Sequence, residues 1–134
     1  MLSKRIGCCL GKVTQVTPSQ SSYIIKFESD DEIFDILTFE KEDRQLNSLS
    51  ELLFQTSTHA SFPSNWVGTK VKLFFGPKLY SHSNEALIYG ISKTDGDKFI
   101  IPEYLFKIAS KRMEKNFYTL AELCEVVELV EKSF

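Results

Sequence analysis

The sequence predicts a mainly β protein that ends in two α-helices, and three observations lead to this fold class. Runs that alternate apolar and polar residues fill roughly the first ninety positions, which is the period of β-strands. From Pro102 onward, apolar residues recur with helical spacing instead. The length of 134 residues and the hydrophobic content of 43% suit one globular domain with a core of its own.

Five strands are predicted from the alternation and from the turn residues between the runs. Pro18, Asp30 and Asp31 end or separate the early runs, and Gly76 with Pro77 ends a later one. The predicted strands are residues 9–17, 23–28, 33–39, 69–75 and 86–92, with room for a short sixth strand at 99–101.

Three helices are predicted from capping residues and apolar spacing. Ser48 and Glu51 fit a capping box for a short helix at residues 49–55, and Pro102 suits the first turn of a second helix. Thr119 and Glu122 form the capping box of the third helix. Its apolar face is Leu120, Leu123, Cys124, Val127 and Val130, and the second helix has the stripe Leu105, Ile108, Ala109 and Met113. Because glutamates occupy its other face, we expect the third helix to pack on the sheet.

The element order β-β-β-α-β-β resembles that of the OB-type five-stranded Greek-key barrel over residues 5–93. The resemblance is architectural and includes no sequence motif. The same element order is also compatible with another small barrel or with an α+β sheet. We therefore predict a single domain over residues 1–134, with a small OB-like barrel over 5–101 and a helical C-terminal extension over 102–134.

The sequence predicts a cytoplasmic protein. Its longest apolar runs are only a few residues long, whereas a membrane-spanning helix needs roughly 20. Lys4 and Arg5 resemble the start of a signal peptide, but no apolar segment of the required length follows them. The three cysteines are an odd number, and no glycosylation acceptor motif occurs, so nothing favours an oxidising compartment.

Two segments resemble catalytic motifs, but each lacks a feature that its motif requires. Residues 7–14 resemble a phosphate-binding loop, but the glycines are one residue too close and Val13 replaces the metal-binding hydroxyl. Residues 90–94 resemble a nucleophile elbow, but Thr94 stands where a glycine is needed. Asp30, Asp31 and Glu32 are consecutive in a turn that water reaches easily. We therefore expect no enzymatic activity.

The sequence also predicts no metal site and no cofactor. The candidate ligands are Cys8, Cys9, Cys124, His59 and His82, and no pair among them has the spacing of a metal motif. Adjacent cysteines on a strand point to opposite faces, and we expect all three cysteines to be small buried side chains. The segment 95–97 lacks the oxygens of a calcium loop and is typical of a hairpin turn.

Charge is distributed in blocks, although the net charge is only −2. Residues 1–27 carry +4, 28–51 carry −7, 52–119 carry +4 and 120–134 carry −3. The small net charge argues against a protein that coats DNA through its overall field. The blocks either neutralise one another on the folded surface or form a basic groove opposite an acidic face.

Candidate binding residues follow from the barrel hypothesis. Ligands of an OB-type barrel meet the second and third strands and the loops after strands one and four. In proteins that bind single-stranded nucleic acid, aromatic rings at such positions stack on the bases and lysines contact the phosphates. Tyr80 is favoured because it lies in a polar loop, while Tyr23 shares a face with Ile25, as core residues do. The candidates are Lys12, Tyr23, Lys26, Lys70, Lys72, Lys78, Tyr80 and His82.

Two functions remain open. Acidic residues around the third strand, such as Asp31 and Asp35, repel phosphates but not a protein partner. Exposed strand edges, Trp66 and the last helix offer anchors for such a partner. We therefore expect a non-catalytic, soluble interaction module that serves as a protein-binding adaptor or small subunit of a larger assembly. The alternative is a protein that binds single-stranded DNA or RNA; neither hypothesis includes a membrane or a small-molecule cofactor.

Overall fold

The computed structural model describes residues 6–41, 44–54, 66–77 and 85–133. Its strands are β1 (Gly7–Pro18), β2 (Ser22–Glu28), β3 (Leu37–Glu40), β4 (Lys70–Pro77) and β5 (Ala86–Ser92). Its helices are α1 (Arg44–Phe54), α2 (Glu103–Ile108) and α3 (Leu120–Lys132). The predicted mainly β fold with C-terminal helices is confirmed, in the predicted element order.

β1 lies at the centre of a five-stranded antiparallel sheet in the order β3-β2-β1-β4-β5. Its first half pairs with β4 and its second half with β2. Register shifts between Val13 and Gln15 and between Phe74 and Phe75 bend the strands. The sheet curls into a half-barrel, in which the segment before β3 makes a parallel bridge to the start of β5.

The concave side of the curled sheet holds the inner core. Alternate residues of each strand point inward, and Val13, Ile25 and Leu73 are fully buried there. Leu46 and Leu49 of α1 are buried in the same cluster, so α1 packs against the inner core. The period-two pattern of the sequence therefore corresponds to a sheet with one buried face.

A second core lies on the outer side of β4 and β5, beneath α2 and α3. Leu123 of α3 packs at Gly90, 3.1 Å from the position that a Cβ atom would occupy there. The predicted capping box starts α3, because the Thr119 hydroxyl accepts from the Glu122 N–H and the Glu122 carboxylate accepts from the Thr119 N–H. The buried residues of α3 are Leu123, Val126, Val127 and Val130. The predicted packing of this helix on the sheet is confirmed.

Two predicted boundaries are wrong. α1 begins at Arg44, so Ser48 lies inside the helix and donates to the Arg44 carbonyl at 3.0 Å instead of capping it. Residues 33–36 precede β3 rather than belong to it. Ile33 bridges back to Glu28, and Phe34 bridges to β5, so the chain turns before it rejoins β2.

Three side-chain predictions are also wrong. Trp66 is 1% exposed and belongs to the inner core, so it offers no anchor to a partner. Cys8 is exposed rather than buried, because β1 alternates and Cys9 takes the inward position. α2 ends at Ile108, so Met113 packs against the outer core from the segment after that helix.

Candidate functional site

Two strongly exposed apolar side chains lie on the outer face of the sheet. Leu10 of β1 is 64% exposed, and Ile33, which follows β2, is 63% exposed. Glu28 of β2 stands opposite Lys12 on one side and opposite Ile33 on the other, and Lys70 of β4 stands opposite Lys12. Directly opposed residues share a face, as do residues two apart on a strand. These five residues, which we term the Leu10 face, therefore point the same way.

The Leu10 face carries two lysines that oppose each other directly. In the residues that the structure describes, neither Lys12 nor Lys70 makes an ion pair. Like charges in directly opposed positions destabilise a sheet. A depression of about 450 Å³ runs beside them, and it is lined by Leu10, Gly11, Lys12, Glu28, Ser29, Asp30 and Lys70. A bound carboxylate or phosphate would relieve the repulsion between the two ammonium groups.

The outer face of β2 and β3 is where an OB-type barrel would meet its ligand. Its side chains are Ile24, Lys26, Glu28, Thr38 and Glu40. Lys26 Nζ lies 3.3 Å from a Glu28 carboxylate oxygen, so the single lysine of this set is already paired. Glu40 adds a second carboxylate. This face therefore has little attraction for phosphates.

Besides Lys26, two candidates from the sequence make contacts within the protein. Lys72 Nζ donates to the Gly96 carbonyl at 2.6 Å and lies 5.6 Å from the centre of the Phe99 ring. Tyr23 points inward from β2 and packs against the inner core, and Lys41 Nζ lies 5.5 Å from its ring centre. The remaining candidates Lys78, Tyr80 and His82 lie outside the described residues.

A groove of about 430 Å³ lies between β3 and α2. We term it the β3-edge groove; it is lined by Leu37, Thr38, Phe39, Glu40, Gln45, Pro102, Glu103, Tyr104 and Lys107. The residue pattern does not predict this groove, because the groove depends on packing between segments about sixty residues apart. The only signal in the sequence was the general expectation that a small sheet leaves strand edges exposed.

Gln45 of α1 fixes the helical wall of this groove. Its side chain is 5% exposed, and its Nε2 donates to the Ile101 carbonyl at 2.6 Å. Its Oε1 accepts a hydrogen bond from the Glu103 N–H at 2.9 Å. The amide therefore binds the chain on both sides of Pro102, where α2 begins.

Tyr104 of α2 fills the space between α2 and β5. Its hydroxyl donates a hydrogen bond to the Ile88 carbonyl. Burial raises the pKa of Tyr104, and the nearby Asp35 carboxylate raises it further. The hydroxyl therefore remains a donor at physiological pH, and it satisfies a carbonyl on the edge of β5.

Reactive groups are few in the described residues. No three His, Cys, Asp or Glu side chains there are grouped so that they could hold a metal ion. Burial raises the pKa of the Cys9 thiol, which opposes formation of the nucleophilic thiolate. No helix in this part of the chain is both long enough and apolar enough to cross a membrane.

The Leu10 face and the β3-edge groove are the larger of the surface depressions described here, and a smaller one of about 230 Å³ lies beside Leu52, Lys93 and Phe117. In comparisons with known proteins, no family model, curated protein or solved structure matches the chain.

Proposed function

We propose that this chain is a single-domain, OB-type Greek-key barrel with a helical extension. The strand order β3-β2-β1-β4-β5 supports this proposal. So does the parallel bridge between Phe34 and Ala86, because a partly open barrel of this type closes where its third and fifth strands approach. The position of α1 between β3 and β4, packed against the inner core, is a third supporting feature.

Its function is that of a non-catalytic protein-interaction module, which acts as an adaptor or small subunit in a larger assembly. The observation that carries this proposal is the exposure of Leu10 at 64% on the central strand, in the half that pairs with β4. β4 pairs with β1 at Leu10, and β2 pairs with β1 from Lys12 onward, so sheet hydrogen bonds hold the backbone here and the side chain is presented without a large loss of backbone entropy on binding. An apolar side chain on such a rigid surface is a suitable anchor for a partner.

The charges around Leu10 define the partner. Lys12 and Lys70 stand on the same face and form no ion pair within the described residues. A partner that places a carboxylate between them while covering Leu10 gains both apolar burial and charge complementarity. The partner is therefore a protein surface with an apolar side chain beside one carboxylate.

The same lysine pair supports a second candidate function, the binding of single-stranded DNA or RNA. Phosphates fit between Lys12 and Lys70 as carboxylates do. Glu28, Asp30 and Glu40 oppose a chain of phosphates more than a single carboxylate, because their own carboxylates line the neighbouring surface and repel each further negative charge. We therefore favour the protein-binding function over the binding of nucleic acid.

A reducing, cytoplasm-like compartment is part of the proposal. Cys8, Cys9 and Cys124 are all free thiols. Free thiols persist where glutathione and thioredoxin keep cysteine reduced.

The test compares matched surface variants in binding. Wild-type protein is used to capture partners from an extract of the source cells, and each captured protein is then purified and titrated. Leu10→Gln should weaken binding about tenfold or more, since it removes the apolar anchor but keeps its size. Lys12→Glu combined with Lys70→Glu should also weaken binding. Val67→Gln is the control, because Val67 is 53% exposed and lies outside the Leu10 face.

Labelled single-stranded DNA and RNA oligonucleotides are titrated in parallel, at low and at near-physiological salt, and followed by fluorescence anisotropy. Saturable, salt-sensitive binding that the double lysine variant abolishes would replace the protein-binding function by the nucleic-acid function. If every captured protein binds the Leu10→Gln variant with the same affinity as wild type, the proposed role of the Leu10 face is wrong.

A further inference from the structure

The edges of β3 and β5 differ in how their backbone groups are satisfied. On β5, the Ile88 carbonyl accepts from the Tyr104 hydroxyl, and Ile91 exchanges two hydrogen bonds with Ile100. At the start of β5, Ala86 exchanges hydrogen bonds with residues 33–35. The edge of β5 is therefore covered at three places along its length.

Among the described residues, the free edge of β3 has no such cover. The Lys41 N–H donates to the Ser21 carbonyl at 3.0 Å, in register with the pairing of β2 and β3. Because hydrogen-bonded pairs alternate in an antiparallel ladder, the backbone groups of Thr38 and Glu40 point away from β2. In the described part of the chain, no hydrogen bond reaches these groups from the groove side.

The shape of the groove selects an extended chain. β3 forms one wall and α2 the other, with Gln45 holding the start of α2 in place. The four residues of β3 span about 13 Å, at about 3.3 Å a residue. A single strand can enter this space. In a second copy of this chain α2 likewise lies beside the edge of β3, which disfavours direct pairing of the two β3 edges.

We propose that the β3-edge groove binds an extended segment of a partner protein, which adds a strand to β3 and places basic side chains beside Glu40 and Glu103. Strand addition is a common mode of peptide recognition, with affinity from main-chain hydrogen bonds and specificity from alternate side chains. Glu40 and Glu103 line the groove with one opposing base, Lys107, and make no ion pair in the described residues. The charge of the lining therefore favours lysine or arginine over acidic residues.

This surface lies apart from the Leu10 face, so the two proposals can fail separately. The probes are fluorescein-labelled seven-residue peptides that alternate valine with lysine or valine with glutamate. The full chain is titrated with each peptide and followed by anisotropy, and by ¹⁵N NMR for the amides of Thr38 and Glu40. We expect the lysine peptide to bind at least tenfold more tightly than the glutamate peptide, with both amides shifted and protected from hydrogen exchange.

Thr38→Pro is the decisive variant. Proline is tolerated at an edge position whose N–H lies outside the ladder, so the protein should stay folded while strand addition is blocked. Binding of the lysine peptide should fall at least tenfold in Thr38→Pro and severalfold in Glu40→Gln combined with Glu103→Gln, whereas Leu10→Gln should leave it unchanged. Several outcomes would overturn the proposal: no peptide binding, shifts elsewhere on the surface, a preference for the glutamate peptide, or a dimer that Thr38→Pro dissociates.

Discussion

Replacement of Gln45 by leucine tests whether one buried amide holds the start of α2. Leucine is close in size to glutamine but provides none of its hydrogen bonds, which include a weak one from Nε2 to the Met113 sulfur at 3.4 Å. The Ile101 carbonyl then loses the donor that now lies 2.6 Å away. Ile101 is fully buried, so water does not readily replace that donor, whereas the exposed Glu103 can turn its N–H to solvent.

The expected loss of unfolding free energy follows from the burial of the Ile101 carbonyl and the exposure of Glu103. One buried carbonyl without a donor costs about 1–3 kcal/mol, and the solvated Glu103 amide adds little. The leucine regains part of this loss through apolar burial, which leaves a net destabilisation of about 1–2 kcal/mol. Urea unfolding measures it, with the fluorescence of the buried Trp66 as the signal.

The control is Glu51→Leu, which places the same side chain on the exposed side of α1 and should change the unfolding free energy by less than about 0.5 kcal/mol. Hydrogen exchange at the Glu103 amide should accelerate in Gln45→Leu alone. The reasoning is refuted if Gln45→Leu unfolds at the same urea concentration as wild type and the Glu103 amide exchanges at the wild-type rate.

Two further predictions concern α3. Val127→Asp places an unpaired carboxylate at a fully buried position and should cost about 3 kcal/mol or more, which thermal melting measures; an unchanged melting temperature would mean that α3 does not pack on the sheet. The hydrogen bond from Lys115, with that from the Thr119 N–H, lowers the pKa of Glu122. Its stabilising contribution is therefore present above the usual glutamate range and is lost as pH falls through the lowered value, so Glu122→Gln should be less stable than wild type in urea at pH 7 but not at pH 2.

Local signals in the sequence predicted the elements whose determinants are local. The start of α3 was correct, because Thr119 and Glu122 satisfy each other's backbone within one turn. Ser48 and Glu51 have the same spacing but cap nothing. α1 instead starts at Arg44, which lets Gln45 and Leu46 reach buried positions. Tertiary burial thus prevailed over a local capping signal.

The binding surfaces depend on contacts between distant segments. Lys12 and Lys70 were both candidates, but their direct opposition follows from the register of β1 and β4. The hydrogen bond from Lys72 to the Gly96 carbonyl likewise joins two separate segments, whereas the ion pair of Lys26 with Glu28 is local, because residues two apart on a strand share a face. Residue types and alternation show which side chains face outward and which neighbours on one strand share a face, but they carry no information on which side chains of different strands meet.

The central place of β1 also has a consequence for folding kinetics. β1 and β2 are separated by three residues and can form a hairpin within microseconds. β4 reaches β1 only after a loop of about sixty residues closes, and such non-local pairing makes β-rich proteins fold in milliseconds to seconds. Lys70 therefore joins Lys12 late, and an incompletely folded chain lacks the paired ammonium groups that would attract an acidic partner.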